Sequence, residues 1–288
     1  MHCYKGHLMN KIGWTDIQLK RLRALGAGQE SLESGFGTPK ERDRVFQKME
    51  KQLIKNHRAC LEALRTQKLR TGLCKLESRL VQALTARGFV QVTTPIIMSR
   101  GLLAKMSVDE THALSSQVFW LDKSKCLRPM LAPHLYFILK DLLRLWERPV
   151  RIFEVGPCFR KESQGARHAS EFTMLNLVEM GTPLAKREAR LKTLAAAVMD
   201  AAGIETYDFA FESSAVYGET MDVVTPGDVE VASGAMGPHA LDAAWKITEN
   251  WVGIGFGLER LLMVKEGSPN LGSVGRSLTY LDGVPLNI

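Results

Sequence analysis

Between Phe89 and Gly257 the chain lays down six short β-rich segments: "FVQVTTPIIM", "QVFWLD", "VRIFEVGPCFR", "EFTMLNLVEM", "DVEVASGAM" and "VGIGFG". Only two helical stretches interrupt them, "LAPHLYFILKDLLRLW" and "LAKREARLKTLAAAVMDAAG". A doubly wound parallel sheet needs a crossover helix after nearly every strand, so this order excludes it. The expectation is an α+β domain: a mainly antiparallel sheet flanked by helices, preceded by a basic helical N-terminal region.

Residues 1–70 read as that basic region and 71–288 as the sheet domain. "TDIQLKRLRAL" offers Thr15 as an N-cap with Gln18 at the capping-box position. "TPKERDRVFQKMEKQLI" offers Thr38 as cap, Pro39 at the first helical position and Glu41 to complete the box. Phe46, Met49 and Leu53 then share one face and leave Lys48, Lys51 and Lys55 outward. The intervening "ESGFGTP" is expected to be a flexible hinge. A third helix, about Leu73 to Ala86, carries Leu73, Leu76, Leu80 and Leu84 and stops at Gly88.

Residues 1–75 hold 16 Lys and Arg against 7 Asp and Glu, within a chain of formal charge +7. An excess confined to one quarter of the chain suits a polyanion partner, and a solvated helical surface about equally. The five cysteines (Cys3, Cys60, Cys74, Cys126, Cys158) show no CxxC spacing and support neither a zinc site nor a disulfide framework. No apolar run is long enough to span a bilayer, and the first residues lack the apolar core of a secretory signal. A cytoplasmic protein is expected.

"GIGFGLERLL", residues 253–262, places glycine at three alternate positions and then an Arg. Each glycine forfeits strand packing, so something must approach this backbone closely. A dinucleotide loop does not fit, because only 28 residues follow Arg260, too few for the βαβ unit and its downstream acid. A phosphate loop does not fit either, because no Gly-Lys-Ser/Thr follows. A bare strand floor under a flat purine does fit, with Arg260 stacking on the ring and reaching the phosphate tail.

That reading requires a second cation for the reacting phosphate, and "CFRKESQGARHASEFTMLN" supplies Arg160. A fixed Arg stabilises the charge that builds on a phosphorus centre, and Glu162 is suited to accept from an exocyclic amine. In the strand 171–180, Phe172, Met174, Asn176, Val178 and Met180 share one face at a period of two. Asn176 is its one polar member. It would find its partner either in the core or in a substrate carbonyl or amide.

The strand-loop-strand "FRKE…EFTML" resembles motif 2 and "GFGLER" motif 3 of the class II aminoacyl-tRNA synthetases. Pro95 in "GFVQVTTPIIMS" resembles the motif 1 proline, near the dimer interface of that class. "QVFWLD", "LRPMLAPHLY", "EVGPCFRKES", "VYGETMDV" and "ASGAMGP" narrow the resemblance to the branch that charges pyrrolysine, from about Trp14 to the C-terminus. The form it most resembles is the split bacterial one, in which a small tRNA-binding protein is a separate polypeptide.

The resemblance implies ATP and Mg2+, with pyrrolysine and a cognate tRNA as substrates, in a homodimer. It implies Arg160 and Arg260 as the catalytic cations. Glu162, His168, Phe172, Gly255 and Gly257 would share the binding of ATP with them, and Glu230 and Ser233 would hold the magnesium. It implies an amino-acid chamber from Met130, Ala132, Leu135, Tyr136, Leu139 and Val178, with Ala235, Trp251 and Gly253. Asn176 would read the side-chain amide and Tyr217 would close over the substrate. "LAPHLY" departs from the pattern with His134 for Asn, and "THALSS" replaces an acidic-His-Pro-Leu-Phe run. Two other readings fit the class: a synthetase for another large apolar amino acid such as phenylalanine, or a non-catalytic RNA-binding relative.

Overall fold

The computed structural model describes residues 11–161 and 169–288. Residues 72–277 form one unit, and the residues up to 71 join with 278–288 in another.

Among the described residues of the larger unit, nine strands form. They are β1 (Val90–Gln91), β2 (Ile97–Ser99), β3 (Lys125–Leu127), β4 (Val150–Phe159), β5 (Glu171–Met180), β6 (Asp208–Ser214), β7 (Gly218–Thr225), β8 (Val229–Gly237) and β9 (Trp251–Gly257). Seven make one sheet in the order β1-β4-β5-β9-β8-β7-β6. β1 runs parallel to β4, and every other neighbouring pair is antiparallel.

"FVQVTTPIIM" does not stay one strand. It splits at Pro95, which has no N–H for a ladder: β1 pairs with β4, and β2 leaves to pair with β3. "QVFWLD" contributes only a bridge from Trp120 to Cys126, and the strand lies later, at Lys125–Leu127. β6 and β7, which close one edge of the sheet, carry no clear sequence signal, because β6 is largely exposed and polar at its end.

The period of two in β5 separates two cores. Leu175 and Leu177 face helices Gly72–Thr85, Arg187–Ala202 and Leu258–Glu266, where Leu76, Leu80, Leu191, Leu194 and Leu261 are fully buried. Each such leucine contributes ~1.5–3 kcal/mol of burial. Val178 and Met180 face the opposite way, into a second core with helix Ala132–Leu145. Arg128 and Glu154, both almost fully buried, pair at 2.7 Å beneath the Pro95 segment. Thr94 Oγ1 donates to Glu154 Oε2 at 2.6 Å and lies 3.2 Å from His134 Nδ1, so His134 completes this buried network.

In the smaller unit Thr15 and Gln18 form a reciprocal capping box on helix Asp16–Ala24. Thr38 caps helix Pro39–Ala63, but Glu41 reaches back to the N–H of Gly37, one residue before the cap, so the box is not reciprocal. The expected hinge is anchored: Ile12 and Phe36 exchange two backbone hydrogen bonds at 2.9 Å, and the Phe36 ring lies 4.4 Å from Trp14. The long helix buries no residue fully, and Lys48, Lys51 and Lys55 are exposed. Strands β10 (Tyr280–Leu281) and β11 (Val284–Pro285) pair in this unit, so the last residues belong with the N-terminal helices.

Candidate active site

The face of the sheet away from the helix layer bears a cavity of about 410 Å³. Its floor follows from the alternation of β9. Val252, Ile254 and Phe256 are buried toward the helices, leaving Trp251, Gly253, Gly255 and Gly257 on the cavity side.

Strand register converts those positions into rows. Gly255 lies between Asn176 on β5 and Ser233 on β8, and Ser233 in turn pairs with Asp222 on β7. Gly253 lies between Val178 and Ala235, and Trp251 between Met180 and Gly237. The three glycines are therefore a trough walled by the side chains of their neighbours. The approach is close: a Cβ on Gly255 would stand 3.0 Å from Asn176 Nδ2. A Cβ on Gly237 would stand 1.9 Å from Trp251 Nε1, so the indole lies directly over that glycine.

One end of the trough is cationic. Arg160 follows β4, donates from Nε to the Pro129 carbonyl at 2.9 Å, and its guanidinium sits 5.4 Å from the Phe172 ring centre. Arg260, in the first turn of helix Leu258–Glu266, donates to the Glu230 carbonyl at 3.1 Å and lies 3.8 Å from its carboxylate. Protein crowding pushes the Glu230 carboxyl above its ordinary range although the side chain is about half exposed. Arg260 opposes that shift and Asp222 reinforces it. The cavity lining brings together Arg160, Phe172, Glu230, Ser233, Gly255, Gly257 and Arg260. Glu162 and His168 lie outside the described residues.

The other end is apolar. Met130, Ala132, Tyr136, Val178, Tyr217, Ala235, Trp251 and Gly253 line it, with Asn176 at the junction. Tyr136 stacks on Trp245 at 5.5 Å and meets Trp251 edge-on at 5.5 Å. The Tyr217 ring lies 6.4 Å from that of Trp251, and burial pushes the Tyr136 and Tyr217 phenols up. Leu135 and Leu139 do not line the cavity: both are fully buried in the core behind it, and Tyr136, from the same helix, is the side chain that lines it.

Several contributors to the site come together only in the folded chain. Asp242 accepts the Trp251 indole N–H with both carboxylate oxygens at 3.0 Å, and so fixes the wall. Glu259, inside the "GFGLER" stretch and 1 % exposed, accepts the Thr173 N–H at 2.9 Å and ties the helix start to β5 beside Phe172. Asp222 Oδ1 and Asn176 Oδ1 are buried with no hydrogen-bond partner among the described residues. Asp222 was detectable as a carboxylate in a β-rich run, but nothing local shows that it meets Ser233.

A bare nucleotide-sized floor with two arginines at one end and an apolar chamber at the other suits an enzyme that joins an acyl group to a nucleotide. The comparisons agree. The family model "tRNA synthetases class II core domain (F)" matches residues 61–281. A crystal structure of pyrrolysyl-tRNA synthetase from Desulfitobacterium hafniense is 56% identical, with a TM-score of 0.89 over 96% of this chain and 99% of that one. A structure of Desulfitobacterium hafniense PylSc, a pyrrolysyl tRNA synthetase, is 54% identical, with a TM-score of 0.87 over all of both chains. Among curated relatives, the lysine–tRNA ligase of Cronobacter sakazakii is 27% identical over 84% of this chain and 46% of its own length. That of Magnetococcus marinus is 28% identical over 62% of this chain and 32% of its own, so the chain spans less than half of either relative. On the family match and the trough alike, the chain belongs to the class II tRNA synthetase core-domain family.

Proposed function

We propose that this chain is a pyrrolysine–tRNA ligase, which activates pyrrolysine with ATP and passes the acyl group to the terminal ribose of a cognate tRNA. The observation that carries this reading is Asn176 Oδ1, a buried acceptor without a partner among the described residues, at the mouth of an otherwise apolar chamber. A substrate with a long apolar side chain and an internal amide satisfies both features. Phenylalanine would fill the chamber and leave the amide orphaned. A non-catalytic relative would have no use for paired arginines at a bare floor.

In the first step an oxygen of the amino-acid carboxylate attacks the α-phosphorus, and the bond to pyrophosphate breaks. In the second, a ribose hydroxyl of tRNA attacks the acyl carbon and AMP leaves. No side chain becomes covalently bound; the protein orients the reactants and stabilises charge. Arg160 would neutralise the α-phosphate, with Phe172 covering adenine over Gly255 and Gly257. Arg260 would reach the far phosphates. Glu230 and Ser233, with Asp222 beside them, offer hard oxygens, and the orphaned Asp222 Oδ1 fits a cation nearby. Magnesium bound there would supply charge neutralisation to the triphosphate.

The exposed face of helix Pro39–Ala63, with Lys48, Lys51 and Lys55, would hold tRNA phosphates, so binding should weaken steeply as salt rises. Val90, Ile96 and Ile97 flank Pro95 and are 42–53 % exposed, which supports a homodimer contact there. A separate small tRNA-binding protein is a further partner.

ATP–pyrophosphate exchange with pyrrolysine, phenylalanine and no amino acid tests the assignment. Exchange stimulated by phenylalanine and not by pyrrolysine would overturn it. Replacing Lys48, Lys51 and Lys55 together by Glu should abolish tRNA charging and leave exchange intact; unchanged charging would remove the helix from the tRNA site.

A further inference from the structure

The hairpin turn between β6 and β7 hangs over the amino-acid end of the cavity. Ser214, Ala215, Val216 and Tyr217 all line it. β6 is the outermost strand, so no further strand supports this tip. Its backbone is held by side chains. Ser214 Oγ accepts the N–H of Val216 at 3.2 Å and of Tyr217 at 3.1 Å. Two of the turn's carbonyls are taken by two histidines from separate loops: His112 Nε2 lies 3.1 Å from the Ala215 oxygen, and His239 Nε2 lies 2.8 Å from the Tyr217 oxygen.

Both imidazoles are locked in the same form. His112 Nδ1 faces the N–H of Leu114 at 3.1 Å, and His239 Nδ1 faces the N–H of Leu241 at 3.1 Å. A backbone N–H only donates and a carbonyl only accepts, so each ring accepts at Nδ1 and donates at Nε2. The rings are therefore oriented before any substrate arrives. They come from separate parts of the chain, one preceding the 3-10 helix Ala113–Gln117 and the other following β8. The His239 ring also packs edge-on against the Tyr217 ring at 5.7 Å.

We infer that His112 and His239 form a two-point clamp on the turn Ser214–Gly218, and that through it they position Tyr217 over the bound amino acid. Neither histidine lines the cavity, so both act through the turn. The consequence for substrate holding rests on the reading that the amino acid occupies this end. With the clamp closed, Tyr217 is set against Tyr136 and Trp251 in advance, and binding does not have to order the hairpin.

The test uses the full chain carrying His112→Ala, His239→Ala, both together, and His112→Gln with His239→Gln. A Gln amide nitrogen can replace the Nε2 donor. Hydrogen–deuterium exchange at residues 214–218 reads the clamp without any substrate. The double Ala variant should exchange there at least tenfold faster, and the double Gln variant should return toward wild type. In ATP–pyrophosphate exchange, the KM for pyrrolysine should rise roughly five- to tenfold for each Ala variant, the scale of one net hydrogen bond. The KM for ATP should stay within about twofold. Unchanged hydrogen exchange in the double Ala variant overturns the clamp. Faster exchange with an unchanged pyrrolysine KM, or an equal rise in the ATP KM, overturns its positioning role. A wild-type chain that activates no pyrrolysine sinks the functional reading alone, because hydrogen exchange still decides the clamp.

Discussion

On the function proposed above, Gly255→Ala perturbs both substrate sites that share β9, because Gly255 floors the adenine and faces Asn176. The new Cβ would stand 3.0 Å from Asn176 Nδ2 and 3.5 Å from Met174 Cε. Both atoms are ends of side chains, so the fold accommodates the methyl by moving them a few tenths of an ångström. The displaced group is the Asn176 amide, whose Oδ1 makes no other hydrogen bond among the described residues. Misplacing one substrate hydrogen bond costs about 1–1.5 kcal/mol, or roughly tenfold in binding. Gly257→Ala is a contrast, because its Cβ would meet only Arg260 carbons at 3.8 Å, ordinary contact beside the ATP end. In ATP–pyrophosphate exchange, Gly255→Ala should raise the KM for pyrrolysine about tenfold through Asn176, and that for ATP by at least as much because the methyl stands where adenine would lie. Gly257→Ala should raise the KM for ATP and leave that for pyrrolysine within about twofold. A Gly255→Ala enzyme that keeps its ATP KM would refute the glycine floor under adenine, and one that keeps its amino-acid KM would refute the contact of Gly255 with Asn176 as part of the amino-acid site.

Asp242→Ala would orphan the buried Trp251 indole N–H and lower stability by ~1–3 kcal/mol in urea unfolding, while widening the range of accepted amino acids; an unshifted midpoint counts against it. Burial pushes the Glu259 carboxyl up from 4.5, so its folded form holds a proton longer than its unfolded form. The stability this provides is present below the unfolded value and lost as pH rises through the folded one. Glu259→Gln cannot ionise, so the wild type should lose ground to it as pH rises above 4.5, measured by urea titration at each pH. Arg260→Lys should raise the KM for ATP at least about tenfold with little effect on that for pyrrolysine, since an ammonium cannot reproduce a stacked planar guanidinium.

What was legible in the sequence was local. The capping pairs Thr15–Gln18 and Thr38–Glu41 lie three residues apart, and the first closes reciprocally as read. The alternation in β5 correctly placed Phe172, Met174, Asn176 and Val178 on one face, because side-chain direction in a strand depends only on position along it. The bare positions of β9 and the arginine after them were visible for the same reason. The i, i+4 spacing of Leu135 and Leu139 fits a core face, while the family resemblance implies the chamber; helix rotation against the sheet decides for the core.

The rest needed the folded chain. That Asn176, Gly255, Ser233 and Asp222 form one row is a matter of register between strands far apart in sequence. A slip of one residue would send every one of those side chains to the other face, and no local pattern encodes the pairing. The same holds for Asp242 beneath Trp251, for the two histidines on the hairpin, and for residues 278–288 beside the N-terminal helices. The sequence by itself determined a bare, arginine-bordered strand in an antiparallel α+β domain, because periods, caps and missing side chains are properties of neighbours along the chain. Only the tertiary structure decided which groups meet across that strand, because cross-strand contacts are fixed by the sheet as a whole.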